Sequence, residues 1–230
     1  VLYELLHGTA RGAAEAALMY QESGGNPGAL NEFGYAGLYQ FGAPQLVTLG
    51  VHQRGEGENL GTWSDTTLGE ATKWNGTFSI PGFPEVRTLA DFLASSGAQQ
   101  EVFRLHTQWM DQQIANRGWE RYIGQTVQGV TITRQGLHNM IHSGGVGGAE
   151  QFLSGRGNPA DANGMTVGDY ASLGSRVVGQ AGGVQAILSP AQVQSLVGDA
   201  ETEIAARQRA AEEGLASQVE FVEDDYRNIT

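Results

Sequence analysis

The chain has 230 residues, with 25 acidic and 13 basic side chains, a formal charge of −12, no cysteine and 34 glycines. Its length suits one domain, alone or with an extension, and 40% apolar with 17% charged residues is a globular composition. The acidity argues against a phosphate-tracking or anionic-lipid surface; the missing cysteines exclude disulfides, thiol nucleophiles and thiolate-held metals. No run approaches the ~18 apolar residues of a membrane span.

Val1 falls inside an apparent helix rather than in a signal peptide, so the chain reads as a fragment of something longer. Residues 10–22 are alanine-rich and predict a helix. Ser23-Gly24-Gly25-Asn26-Pro27 stops it, glycine supplying the left-handed cap and proline following. Residues 28–42 form a glycine- and aromatic-rich turn region, and Pro44 opens a short helix through Leu49. Gly50 to Val86 reads as a long loop carrying Trp63 and Trp74, a length that fits a cleft wall.

Helical spacing returns over 87–116, where Leu89, Phe92, Leu93, Val102, Leu105, Trp109 and Ile114 share one apolar face. Residues 129–133 make an irregular or strand-like link. Thr133 then caps a helix over 134–143 that ends at Ser143-Gly144-Gly145, and a shorter helix covers 146–154. Turns occupy 155–164 and a helix 166–180. Ser189-Pro190-Ala191-Gln192 starts a long amphipathic helix that fills the tail.

Glu22 holds the chemical interest. A carboxylate at a helix C-terminus meets the negative end of the helix dipole. Burial against aromatic residues such as Tyr39 and Phe41 would raise its pKa further. A carboxylic acid still protonated near neutral pH is what a glycosidic oxygen requires of a general acid. Spacing alone favours an exposed helix-end residue.

Glu22-Ser23-Gly24-Gly25 followed by Gly37-Leu38-Tyr39-Gln40-Phe41 resembles the signature of the lysozyme-like lytic transglycosylases (the soluble lytic transglycosylase and goose-type lysozyme superfamily). Thr131 to Leu137, His142-Ser143-Gly144-Gly145, Phe152-Leu153, Asp161 to Gly164 and Asp169-Tyr170 resemble a branch met in phage and bacterial wall-degrading proteins. The likeness spans about residues 11–175. It implies a mainly α, lysozyme-like domain over 1–185, with 186–230 as a long C-terminal helix serving as assembly or linker segment.

The resemblance assigns Glu22 as the catalytic acid/base and Ser23 as the residue orienting its carboxylate. Tyr39, Gln40 and Phe41 fall in the sugar-groove turn, and Tyr170 corresponds to the tyrosine placed near the glutamate. His142 lies at a position whose follower is often leucine in that branch and is Ser143 here. Trp63 and Trp74 are candidates for stacking on sugar rings, whereas Trp109 reads as core. No cofactor or metal is implied.

The implied activity is cleavage of the MurNAc-β-1,4-GlcNAc bond of peptidoglycan by a lytic transglycosylase, in a virion, the periplasm or outside the cell. A muramidase using a second carboxylate (Glu32, Glu101, Asp161 or Asp169) and a non-catalytic glycan-binding structural part remain the alternatives. His138 and His142, four apart, have zinc-binding spacing but lack the following glutamate of a zincin. Setting Gly164 as the sixth residue of a calcium loop leaves Pro159 and Tyr170 at the ends, neither a ligand; an Asx-type turn fits better. Half of the excess acid, nine acidic against three basic residues, lies in 199–230. The body is thus mildly acidic and gains no steering toward an anionic wall, which predicts delivery by attachment to a larger chain or assembly.

Overall fold

The computed structural model describes residues 10–31, 33–56, 74–161 and 164–179. Glu32, Trp63, Asn163 and the whole of 186–230, including the expected tail helix, lie outside the described residues. The architecture is mainly α. Helix α1 (Ala10–Ser23) turns a buried face, Glu15 to Met19, to the interior. Gly24 (φ 65°) ends it in the left-handed conformation that a Cβ disfavours, its N–H donating to Tyr20 O at 2.9 Å. Asn26 to Gly42 then folds back on itself through bridges pairing Leu30 with Ala36 and Ala36 with Phe41.

Helix α2 (Ala43–Thr48) has Pro44 in its first turn, where no N–H is missed. Two short antiparallel strands, β1 (His52–Gln53) and β2 (Thr77–Phe78), pair inside what reads as loop in the sequence. The apolar stretch expected over 87–116 is two helices, α3 (Leu89–Ala94) and α4 (Ser96–Arg117). Thr88 and Asp91 close a reciprocal capping box on α3, and Ser95 leaves helical geometry to cap α4 through Ala98 N–H.

A 3-10 turn (Trp119–Tyr122) leads to a hairpin of β3 (Thr126–Val127) and β4 (Val130–Thr131), closed by the positive-φ pair Gln128-Gly129. Helix α5 (Arg134–Leu153) starts at the Thr133 cap and is interrupted where expected, at Gly145, whose φ and ψ are 63° and 179°. Helix α6 (Val167–Gly179) completes the described chain. Among the described residues, no helix is long and apolar enough to cross a membrane.

Two hydrophobic clusters form the interior. The first joins α1, the 36–41 turn, β2, α3 and the first half of α4; the second joins the end of α4 to α5 and α6. Glycine explains how close α5 and α6 come. A Cβ on Gly174 would sit 2.8 Å from Gly136 N, and one on Gly144 would collide with Val167 Cγ2. Part of the high glycine content is therefore spent on helix contact as well as on turns.

Gln99 of α4 is fully buried and ties the elements together. Its Oε1 accepts from Leu38 N–H at 2.7 Å; its Nε2 donates to Phe92 O at 2.7 Å and Pro27 O at 3.1 Å. Gly37 has φ 79°, and a Cβ there would run into Gln99 Oε1, so only glycine lets the turn close on the amide. Gln99→Leu keeps the volume but orphans buried backbone groups, each costing ~1–3 kcal/mol. The variant is expected to lose roughly 2–4 kcal/mol in urea denaturation; an unchanged midpoint would show that the clamp holds nothing.

Candidate active site

Glu22 is the penultimate residue of α1, and its side chain is 14% exposed. What positions it is the Ser23 hydroxyl, 2.9 Å from Leu38 O and 3.1 Å from Met19 O. Both are acceptors, so Ser23 spends its one proton on backbone carbonyls and bolts the helix end to the 37–41 turn. The resemblance assigns Ser23 the orienting of the Glu22 carboxylate; its hydrogen bonds instead fix the backbone on which Glu22 stands.

The groove turn is also built differently from expectation. Tyr39 and Phe41 are buried, 0% and 2% exposed, and belong to the core instead of a sugar-lined surface. Tyr39 stacks on Phe103 at 4.0 Å and donates its hydroxyl to Glu15 Oε1 at 2.8 Å. Burial, then the Glu15 charge, push that phenol well above its ordinary pKa. Between them Gln40, at φ 49°, faces outward into a cleft while its Nε2 donates to Gly37 O. Trp74 packs against the first core cluster and donates its indole N–H to Gly34 O at 3.1 Å, so it supports the turn from behind. Trp109 is partly buried and stacks on His106.

Helix α5 supplies His142, whose Nε2 donates to Tyr39 O at 2.9 Å and lies 4.0 Å from Glu22 Oε1. Burial lowers its pKa from 6.5 to about 4. The imidazole is therefore neutral near pH 7, and its contact with Glu22 is not an ion pair. His138 points elsewhere, bonding Asp111 Oδ1 at 2.9 Å, so the two histidines expected to share a helix face do not share a site. Among the described residues, no group of three or more His, Asp or Glu is placed to hold a metal.

On the other side of Glu22 stands Tyr170 of α6, 5% exposed. Its hydroxyl donates to Asp161 Oδ2 at 3.1 Å, and it lies close enough to the Glu22 carboxyl for each to affect the other's titration. Burial raises the Glu22 pKa from 4.5 to about 7; the Tyr170 hydrogen bond works against that and the Asp161 charge adds to it. Burial, then the charge of Glu22, raises the Tyr170 pKa as well. Desolvation is the main cause of the raised Glu22 pKa.

Two clefts adjoin at Tyr35 and Gly145. One, of about 360 Å³, carries Ser143, Asp161, Met165 and Tyr170; the other, of about 200 Å³, carries Gln40, Gln45, His106 and His142. Glu22 thus sits against Tyr170 and Asp161 of the first and His142 of the second. No protein-family model, curated protein or solved structure matches the chain.

Of the other second-carboxylate candidates, Glu32 lies outside the described residues and the remaining two are occupied elsewhere. Glu101 pairs with Arg104 at 2.7 Å on the surface, and Asp169 accepts from Thr166 N–H and Oγ1 in the cap of α6. Among the described candidates, Asp161 is the one that reaches the site. It closes the expected Asx-type turn, its Oδ1 accepting from Met165 N–H at 2.9 Å. Sequence reasoning missed Glu15, Gln45, Gln99 and His106, since partners 24 to 61 residues away leave no local pattern.

Because the folded-state pKa of Glu22 lies above its unfolded value, its contribution to stability is whole below about 4.5 and is lost as pH rises through about 7. Glu22→Gln removes that loss. The variant is expected to match the parent near pH 4 and to exceed it by roughly 3 kcal/mol at pH 8–9, read by chemical denaturation at both pH values. A difference independent of pH would contradict the burial of an ionisable Glu22.

Proposed function

We propose that the protein is a peptidoglycan lytic transglycosylase of lysozyme-like fold, with Glu22 as its single catalytic acid and base. The observation that carries this reading is Glu22 itself: a carboxyl group with its pKa near 7, 14% exposed, beside His142 and Tyr170, which line two adjoining clefts. The resemblance of Glu22-Ser23 and of the Gly37–Phe41 turn to that family supports it.

In the proposed reaction the Glu22 carboxyl gives its proton to the bridging oxygen, and the MurNAc C1–O bond breaks as GlcNAc leaves with its 4-hydroxyl restored. The resulting carboxylate takes the proton of the MurNAc C6 hydroxyl, and O6 bonds to C1. Glu22 is protonated again and the product is a 1,6-anhydro sugar, with no water consumed. A pKa near 7 suits a group that must first give and then take a proton. Hydrolysis would need a second carboxylate to activate water or attack C1. Asp161 has one oxygen on Met165 N–H and the other on Tyr170, which leaves it on the side of Glu22 and favours the transglycosylase.

The ligand is a neutral-faced sugar chain and not a polyanion. Gln40 and Gln45 offer amides, while buried His142 Nδ1, His106 Nε2 and Ser143 Oγ have no hydrogen-bond partner among the described residues. Action at the bacterial wall, from a virion or secretion assembly joined through 186–230, completes the reading.

Purified cell walls should lose turbidity and release muropeptides with anhydro ends by mass spectrometry. Reducing ends instead would make the protein a muramidase. Glu22→Gln is expected to reduce release by about 10²–10⁴-fold with the fold intact, and the activity should fall on the alkaline side with a midpoint near 7. Full activity in E22Q, or no sugar released by the parent under any condition, would sink the assignment.

A further inference from the structure

Tyr39, Phe41 and Trp74 line neither cleft: the first two are buried in the first hydrophobic cluster and Trp74 packs against it. Another ring takes the place expected of them. Tyr35 is half-buried, belongs to neither hydrophobic cluster and lines both clefts. The other residue common to both linings is Gly145, the exposed break in α5.

Tyr35 stands on fixed backbone. Its N–H donates to Asn31 Oδ1 at 2.9 Å, and its carbonyl accepts from Asn31 N–H at 3.0 Å. Before it, Gly34 O receives the Trp74 indole N–H; after it, Ala36 is fully buried and bridged to Leu30 and Phe41. The ring rests against Gly42, where a Cβ would come 3.1 Å from Tyr35 Cε1. An aromatic ring held in place before binding loses little conformational freedom when a ligand covers it.

Helix α5 needs its two glycines here for different reasons. Gly144 is required by packing, since a Cβ would collide with Val167 Cγ2. Gly145 has φ 63° and ψ 179°, backbone that suits only glycine, and a Cβ there would meet nothing within 4 Å. The break thus leaves open space beside the junction of the clefts. Neither lining contains Lys or Arg, and Asp161 is the one acidic residue in either. Such a passage suits a ring with apolar faces and a polar edge, which is what a pyranose offers.

We propose that the two clefts form one groove for a glycan strand, and that Tyr35 is the stacking residue at its crossing point. Its ring lies on the apolar face of one pyranose as the strand passes Gly145, where no side chain bars the way. Gln40 and Gln45 on one side and Ser143 on the other reach the polar edges of the flanking sugars. This rests on the proposed function for the identity of the strand, and not on its cleavage.

The test is binding of a peptidoglycan-derived tetrasaccharide of alternating GlcNAc and MurNAc to the whole chain carrying E22Q, by NMR and calorimetry. Nuclear Overhauser contacts are expected from the Tyr35 ring to sugar C–H protons, and the amide signals of Gln45 and Ser143 should both move in the same complex. Adding Y35F keeps the ring and should leave the affinity nearly unchanged. Adding Y35L keeps the bulk without the aromatic face and should weaken binding roughly three- to tenfold.

Equal losses in Y35F and Y35L, no loss in Y35L, or shifts confined to one cleft would overturn the inference. If Y35L does not fold, the contacts in the E22Q protein decide, and their absence overturns the stacking. A protein that binds through Tyr35 yet, with Glu22 restored, releases no sugar loses the proposed activity and keeps the groove. Failure to bind the tetrasaccharide overturns both.

Discussion

The Gly37–Phe41 turn is the constraint on which the rest of the structure depends. Three helices reach it with polar bonds: α1 through Ser23 on Leu38 O and Glu15 on the Tyr39 hydroxyl, α4 through Gln99 on Leu38 N–H, and α5 through His142 on Tyr39 O. Tyr39 and Phe41 anchor it in the core beneath. A turn pinned from three sides cannot drift, and the end of α1 is bolted to it. Glu22, one residue before the bolt, inherits that fixity. The two clefts are the space left beside this junction, with Gln40 projecting from the turn into one of them.

Burial acts in opposite directions on the two titratable groups that meet there. It holds Glu22 neutral up to about pH 7 and His142 neutral down to about pH 4, so between those values neither carries charge. Their effects on stability oppose each other as well. The Glu22 contribution wanes as pH rises from 4.5 to about 7. The unfolded chain binds the His142 proton more readily between 6.5 and about 4, so that contribution grows with pH over nearly the same window. The pair therefore lets a desolvated acid persist at little net pH dependence of the fold.

What could be read from the sequence was local. Gly24 and Pro27 announce the end of α1, Thr133 the start of α5, and the glycines after Ser143 its break at Gly145, because caps and left-handed turns demand particular residues. The single apolar stripe over 87–116 concealed the Ser95 break, since Ser95 acts as a cap without interrupting the periodicity. β1 and β2 are two residues each, too short to show alternation. Within the site, Glu22, Gln40, His142 and Tyr170 were all marked in advance, and all lie at or beside the two clefts. Tyr39 and Phe41 read as groove residues and are core: an aromatic within a groove motif reads the same whether it faces a sugar or the interior. Gln99, Glu15 and the tie between Asp161 and Tyr170 depend on contacts that only the folded chain creates.

The central claim is that a glycan strand lies across the junction with its scissile oxygen on Glu22. A structure of E22Q with a peptidoglycan-derived tetrasaccharide of alternating GlcNAc and MurNAc tests it most directly. The account predicts sugar rings in both clefts and a glycosidic oxygen about 2.6–3.2 Å from the carboxamide at position 22, with the Gln40 side chain on the sugar. A glycan seated away from position 22, or crossing it with no bridging oxygen in reach, would contradict the account.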